Sequence, residues 1–297
     1  CSEMLVILFC MAAGFLAHKL GYLGGETDQK LCRLILGITM PCLILGSVSA
    51  GDTLPSAGEI LSILKVAAVF YGLGFLTAAF VPRLLGGTAK QQGVWRYCLV
   101  FANMAFIGYP VSVALFGQDA LFYAVILVLP FNLLSFSLGP LMLAGQAKFR
   151  WQQLTSPCVI AAVAALVVAL CRLNIPALAG ECLNFVGSLT TPLSLLVVGS
   201  LLADLPFGRA FTSLRLWILT ALRLLILPGV LWLVLKWTGI GTPLVDDIAV
   251  ILMATPAALN GSMLAMEYGG DTECMAQSIF LTTLMSILTI PVLAALL

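Results

Sequence analysis

Apolar stretches, each long enough to cross a bilayer, follow one another along the whole chain with almost nothing between them. A membrane-spanning helix needs about 20 mostly apolar residues. Ten segments meet that need: Met4–Leu20, Leu31–Ala50, Glu59–Val81, Tyr97–Phe116, Leu121–Ala144, Ser156–Arg172, Leu183–Ala203, Leu216–Trp237, Leu244–Glu267 and Met275–Leu297. The two longest connections, Pro82–Arg96 and Asp204–Arg215, are too short to be domains. Only 9% of the 297 residues are charged, against about 25% in an ordinary soluble protein. The chain is therefore read as an all-α polytopic membrane protein with ten transmembrane helices. The surrounding lipid bilayer is its main partner. A net charge of +1 and the absence of a basic cluster exclude nucleic acid as a partner. The nine cysteines lie largely in or beside apolar runs, without a Cys-x-x-Cys. They read as small apolar residues and not as disulfides or a metal site.

Basic residues orient these spans. With the N-terminus outside, the inner loops and helix ends hold ten Lys and Arg residues, and the outer ones hold only Arg172 and Lys236. Cytoplasmic loops carry the excess of Lys and Arg, so a plasma (inner) membrane location with both termini on the outer side is expected. Lys65 and Arg223 lie within spans, each about two turns from an end. At that depth a long side chain can snorkel to the nearer interface, so both are expected to be anchors.

Two spans are interrupted. Phe101–Gly117 holds Asn103, Gly108, Tyr109 and Pro110, and Met253–Gly270 holds Thr255, Pro256, Asn260, Gly261 and Ser262. Proline has no N–H and clashes with the carbonyl four residues back. In hydrocarbon the freed backbone groups survive only inside protein or beside water. Paired interruptions at matching places in two halves are the best sequence pointer to a transporter's binding site. The halves also repeat elsewhere: Thr39, Pro41, Leu54 and Pro55 fall on Thr190, Pro192, Leu205 and Pro206 at one constant offset. Five spans per half is an odd number, so the second half is inverted. The expected organisation is residues 1–144 as one five-helix repeat, 145–155 as a cytoplasmic linker and 156–297 as the second repeat. The broken fourth and ninth helices cross.

The chemistry offered at mid-membrane is neutral. Asn103 and Asn260 flank the breaks, Tyr109, Thr255 and Ser262 add hydroxyls, and helix N-termini after Pro110 and Pro256 attract anions. Asn132 and Thr282-Thr283 are further candidates for the same cavity, although helix–helix hydrogen bonding explains them equally well. No Asp or Glu lies near the middle of a span, and the single histidine, His18, lies at a helix end. That removes the usual proton relay and any hydrolytic dyad, so an enzyme is not expected. The expected substrate-binding set is Asn103, Gly108, Tyr109, Pro110, Asn132, Thr255, Pro256, Asn260 and Ser262, with no metal ligands and no cofactor.

Four segments in order resemble the auxin efflux carrier family: Asn103–Pro110, Thr191–Leu195, Ala254–Asn260, and Ser278–Ser286 running on to Pro291. Ala105 departs from the glycine usual in that family. The resemblance covers essentially the whole chain. It implies helices crossing at Pro110 and Pro256, and a scaffold of spans one, two, six and seven that supports a homodimer. It also implies a mobile unit of spans three to five and eight to ten, and small organic anions such as dicarboxylates or indole acetate as substrates. The expected function is thus a secondary carrier of organic anions working by elevator-type alternating access. Two alternatives stay open: a sodium-coupled symporter of larger amphipathic acids, similar to bile-acid transporters, and a non-transporting sensor or channel. Gly37, Gly46, Ser188 and Gly199 are small enough for close helix approach, either in a dimer or within one protomer.

Overall fold

The computed structural model describes residues 2–46, 48, 57–144, 157–171, 173, 175–204 and 211–297. The Leu54-Pro55 and Leu205-Pro206 pairs, the linker and Arg172 lie outside the described residues. Within them the elements are helical, and the ten predicted segments fall largely on helix where they are described, with interruptions inside Tyr97–Phe116 and Leu244–Glu267. They are α1 (Ser2–Lys19), α2 (Gly25–Gly46), α3 (Ala57–Leu85), α4 (Ala89–Val100), α5 (Met104–Phe116), α6 (Ala120–Ala144) and α7 (Pro157–Cys171). After these come α8 (Ala177–Gly187), α9 (Thr190–Asp204), α10 (Leu214–Thr238), α11 (Pro243–Met253), α12 (Asn260–Tyr268) and α13 (Thr272–Leu296). Five helical stretches among the described residues are long and apolar enough to cross a membrane on their own: α2, α3, α8 with α9, α10 and α13. Large apolar side chains such as Phe9, Leu84, Phe185 and Trp237 are exposed, the pattern of a surface solvated by lipid rather than water.

Starts and stops follow local chemistry. Thr88 caps α4 in a reciprocal box with Gln91, which satisfies two orphan N-terminal donors. Thr242 caps α11 and Asp271 caps α13. Gly239 and Gly269 end α10 and α12 in the left-handed conformation, where only glycine pays no steric cost.

Prolines inside helices are handled by a recurring device. Three π-helical turns occur among the described residues, Ile35–Thr39, Met104–Gly108 and Leu222–Ile226. Each is followed, at the second residue of the next α-helical turn, by a proline: Pro41, Pro110 and Pro228. The wider turn moves the carbonyl four residues upstream out of the pyrrolidine's way, so the helix continues instead of breaking. In α2 one carbonyl within such a turn, Leu36 O, accepts from the Cys158 thiol at 3.1 Å.

The chain divides into two compact units. The first comprises residues 1–64, 105–129 and 152–204. Its most extensive helix pair is α1 with α9. A Cβ on Gly14 would strike the Leu196 carbonyl and one on Gly199 the Met11 carbonyl, so these two glycines set the approach. One end of the pair is tied by a polar clasp. Ser200 Oγ donates to Asp28 Oδ2 at 2.7 Å, His18 Nδ1 lies 3.0 Å from Ser200 Oγ, and the Gly24 N–H donates to Asp28 Oδ1 at 3.0 Å. Gly46 packs closely on Asn184, whereas Gly37 faces open space. Gly46 and Gly199 are thus used for packing within the protomer. The second unit comprises residues 65–104, 130–151 and 205–297. It contains both helix breaks.

Candidate functional site

Two of the places where the chain leaves the helix in the second unit meet, one after α4 and one after α11. After α4 the backbone turns extended at Phe101 (φ −106°, ψ 118°). The Asn103 N–H donates to Pro256 O at 2.7 Å, and the Ala258 N–H donates to Phe101 O at 3.1 Å. Ala102 and Ala257 thereby form an antiparallel bridge. Each break supplies the partners that the other one needs, the satisfaction that non-helical backbone at membrane depth demands. Thr282 on α13 completes it: its Oγ1 accepts from the Ala257 N–H at 3.2 Å and donates to Ser278 O at 2.7 Å. Thr255 Oγ1 turns back to Leu252 O at 2.7 Å.

Arg223 lies at the same place. It is fully buried, its Nη1 donating to Leu99 O at 2.9 Å and its Nε to Thr255 O at 3.2 Å. The expected snorkelling anchor is therefore wrong for Arg223. Nine residues of helix, about 14 Å of rise, separate it from the start of α10 at Leu214. The π turn it sits on carries its side chain inward instead. Lys65, by contrast, is exposed on α3.

Asn103 and Asn260 differ in environment. Tyr97 OH donates to Asn260 Oδ1 at 2.9 Å, Asn260 Nδ2 donates to Ser135 Oγ at 3.3 Å, and Ser135 and Tyr97 hydroxyls are 3.0 Å apart. The donors balance only if Ser135 donates to Tyr97, which closes a three-membered ring. Gly261 is needed beside it, since a Cβ there would lie 2.7 Å from the Tyr97 ring. Asn103 is 4% exposed, and its Nδ2 has no partner.

The structure thus gathers Asn103, Thr255, Pro256 and Asn260 in the second unit. Ser262 is half-buried on the first turn of α12. Gly108, Tyr109 and Pro110 are buried in the first unit, on α5. The first break is not at Pro110, as expected, but at Phe101–Asn103, because the π turn lets α5 run through the proline. Asn132 lies in α6, and its side chain falls outside the described residues. Sequence reasoning missed Arg223, Tyr97 and Ser135 as parts of the crossing. An ionisable residue in an apolar span is a functional hypothesis by default, and that signal pointed to Arg223.

Similarity to known proteins agrees with this arrangement. The membrane transport protein family matches residues 1–148 and 139–294. The chain belongs to that family. It is the auxin efflux carrier group that the sequence motifs resemble. An "Uncharacterized transporter" of Methanothermobacter thermautotrophicus is 24% identical over 298 residues, covering 98% of this chain and 96% of the relative. A second "Uncharacterized transporter", of Methanocaldococcus jannaschii, is 26% identical, covering 97% and 95%. A Rhizobium meliloti protein named "Putative malonate transporter" is 23% identical, covering 93% and 89%. This membrane transport protein is an integral membrane protein, and these relatives are named as transporters.

Proposed function

We propose that this membrane transport protein is a secondary carrier of small organic anions, with dicarboxylates such as malonate as the first candidates. The observation that carries the reading is the Asn103 amide. A buried donor left unpaired costs about 1–3 kcal/mol, and a carboxylate that comes and goes at the crossing would recover that cost. The Rhizobium relative's name points to the same substrate class.

In this reading the anion lies beside the antiparallel bridge, held by Asn103 and by the N-terminal dipole of α12. Pro256 and Ser262 line its path. The chain is two inverted five-span repeats in the plasma membrane, with both termini outside. Spans one, two, six and seven form a static, dimerising scaffold, and the remaining spans move as an elevator. One negative charge moving through 100 mV is worth about 2.3 kcal/mol, so an interior-negative potential drives export without a coupled proton.

Proteoliposomes loaded with labelled malonate, malate or indole acetate test this. Efflux of at least one acid that speeds up when the inside is made negative is expected. No flux across a broad carboxylate panel overturns the reading. Accumulation that follows a pH gradient at zero potential overturns the uncoupled mechanism.

A further inference from the structure

Arg223 is the only buried basic side chain among the described residues, and no carboxylate there pairs with it. A buried charge without a partner is strongly unfavourable, so something must oppose it. Leu99 is the penultimate residue of α4, and Thr255 lies two residues beyond the end of α11. A helix C-terminus carries roughly half a negative charge. Arg223 thus spans the ends of both half-helices, and two half-charges together match one guanidinium.

Those carbonyls are also where a desolvated alkali cation would have to bind, because carriers with broken helices hold their coupling cation on unwound backbone and half-helix C-terminal ends. Here five of the freed oxygens are already taken. Leu99 O and Thr255 O hold Arg223, Phe101 O holds the Ala258 N–H, Pro256 O holds the Asn103 N–H, and Leu252 O holds the Thr255 hydroxyl. Arg223 Nη2 is buried and unpartnered, which leaves the two N–H donors of that nitrogen open.

We propose that Arg223 is the resident cation of the crossing. It is a positioning residue that occupies the half-helix C-termini in place of a bound ion, so that the crossing holds together and the carrier works without sodium. The transport half of this rests on the anion-carrier reading; the cation half does not.

The test is thermal unfolding of the purified full-length protein in sodium chloride and in choline chloride of equal ionic strength. Wild type is expected to unfold at the same temperature in both. Arg223→Ala and Arg223→Gln are expected to unfold several degrees lower. Low-millimolar guanidinium should raise the midpoint of Arg223→Ala and leave wild type unmoved. Arg223→Lys should recover part of the loss, and it carries the test if the neutral variants do not fold.

A sodium-specific rise in the wild-type midpoint overturns the proposal, as does Arg223→Gln with wild-type stability. Arg223→Lys no better than Arg223→Gln overturns it too, since charge would not be what the site needs. In proteoliposomes, malonate flux should be equal in sodium and choline. Absence of flux in either salt counts against the anion reading, while the thermal measurements still decide the role of Arg223.

Discussion

The two breaks carry the same sequence signals, a proline and an asparagine, but use them differently. At the first, the interruption falls on Phe101–Asn103, and Pro110 sits downstream in a helix that a π turn has made room for. At the second, Pro256 lies in the interruption itself, between α11 and α12. Asn260 spends its amide on Tyr97 and Ser135, whereas Asn103 keeps its Nδ2 unpaired. One break is built to be finished by protein, and the other has a donor to spare. Pseudo-symmetry in sequence has been divided into a half whose amide is satisfied within the protein and a half whose amide donor is not.

The largest effect that would break this comparison is on anion affinity. Asn103→Ala removes a donor with no protein partner, so folding loses nothing at that atom. If the donor serves a carboxylate, about 1.5–3 kcal/mol of binding goes with it, roughly a ten- to hundred-fold loss. Titration calorimetry with malonate, beside a thermal unfolding curve that matches wild type, checks it. Equal affinity in the variant would show that Asn103 only packs the crossing.

Asn260→Ala should do the reverse. It leaves the Tyr97 hydroxyl and Ser135 short of partners, which should destabilise the protein by about 1–3 kcal/mol and lower the unfolding midpoint. Malonate affinity should change less than in Asn103→Ala. Tyr97→Phe opens the same ring with less damage, about 1 kcal/mol, and should lower the midpoint without changing affinity.

The prolines give the smallest contrast. Pro256→Ala adds an N–H inside a buried break, so a lower midpoint is expected, by about 1 kcal/mol or more. Pro110→Ala lets the π turn relax toward regular helix and should leave the midpoint nearly unchanged. Equal losses at both prolines would mean that the π turn does not absorb the proline.

Much of this was legible in the sequence. Hydropathy located the helical segments, because lipid leaves the backbone few options. The Asn103–Pro110 and Ala254–Asn260 stretches marked the two breaks. What proline could not reveal was whether the helix breaks or widens, since that depends on one extra residue in the preceding turn and no residue type encodes it. Distance from the helix end misplaced Arg223, because its partners are carbonyls on α4 and beyond α11, far away in sequence. Gly46 and Gly199 were recognised as close-approach positions, but only packing decided that they serve contacts within the protomer.

The bridge between the breaks also bears on biogenesis. Asn103 donates to an oxygen on Pro256, about 150 residues later in the chain. At about 5–20 residues per second of synthesis, Asn103 leaves the ribosome roughly 10–30 seconds before its partner exists. During that interval the first break has no sister strand, so its amides must be sheltered by water, by the insertion machinery or by a provisional neighbour. The bridge of the first break cannot close until the second half of the protein has been made.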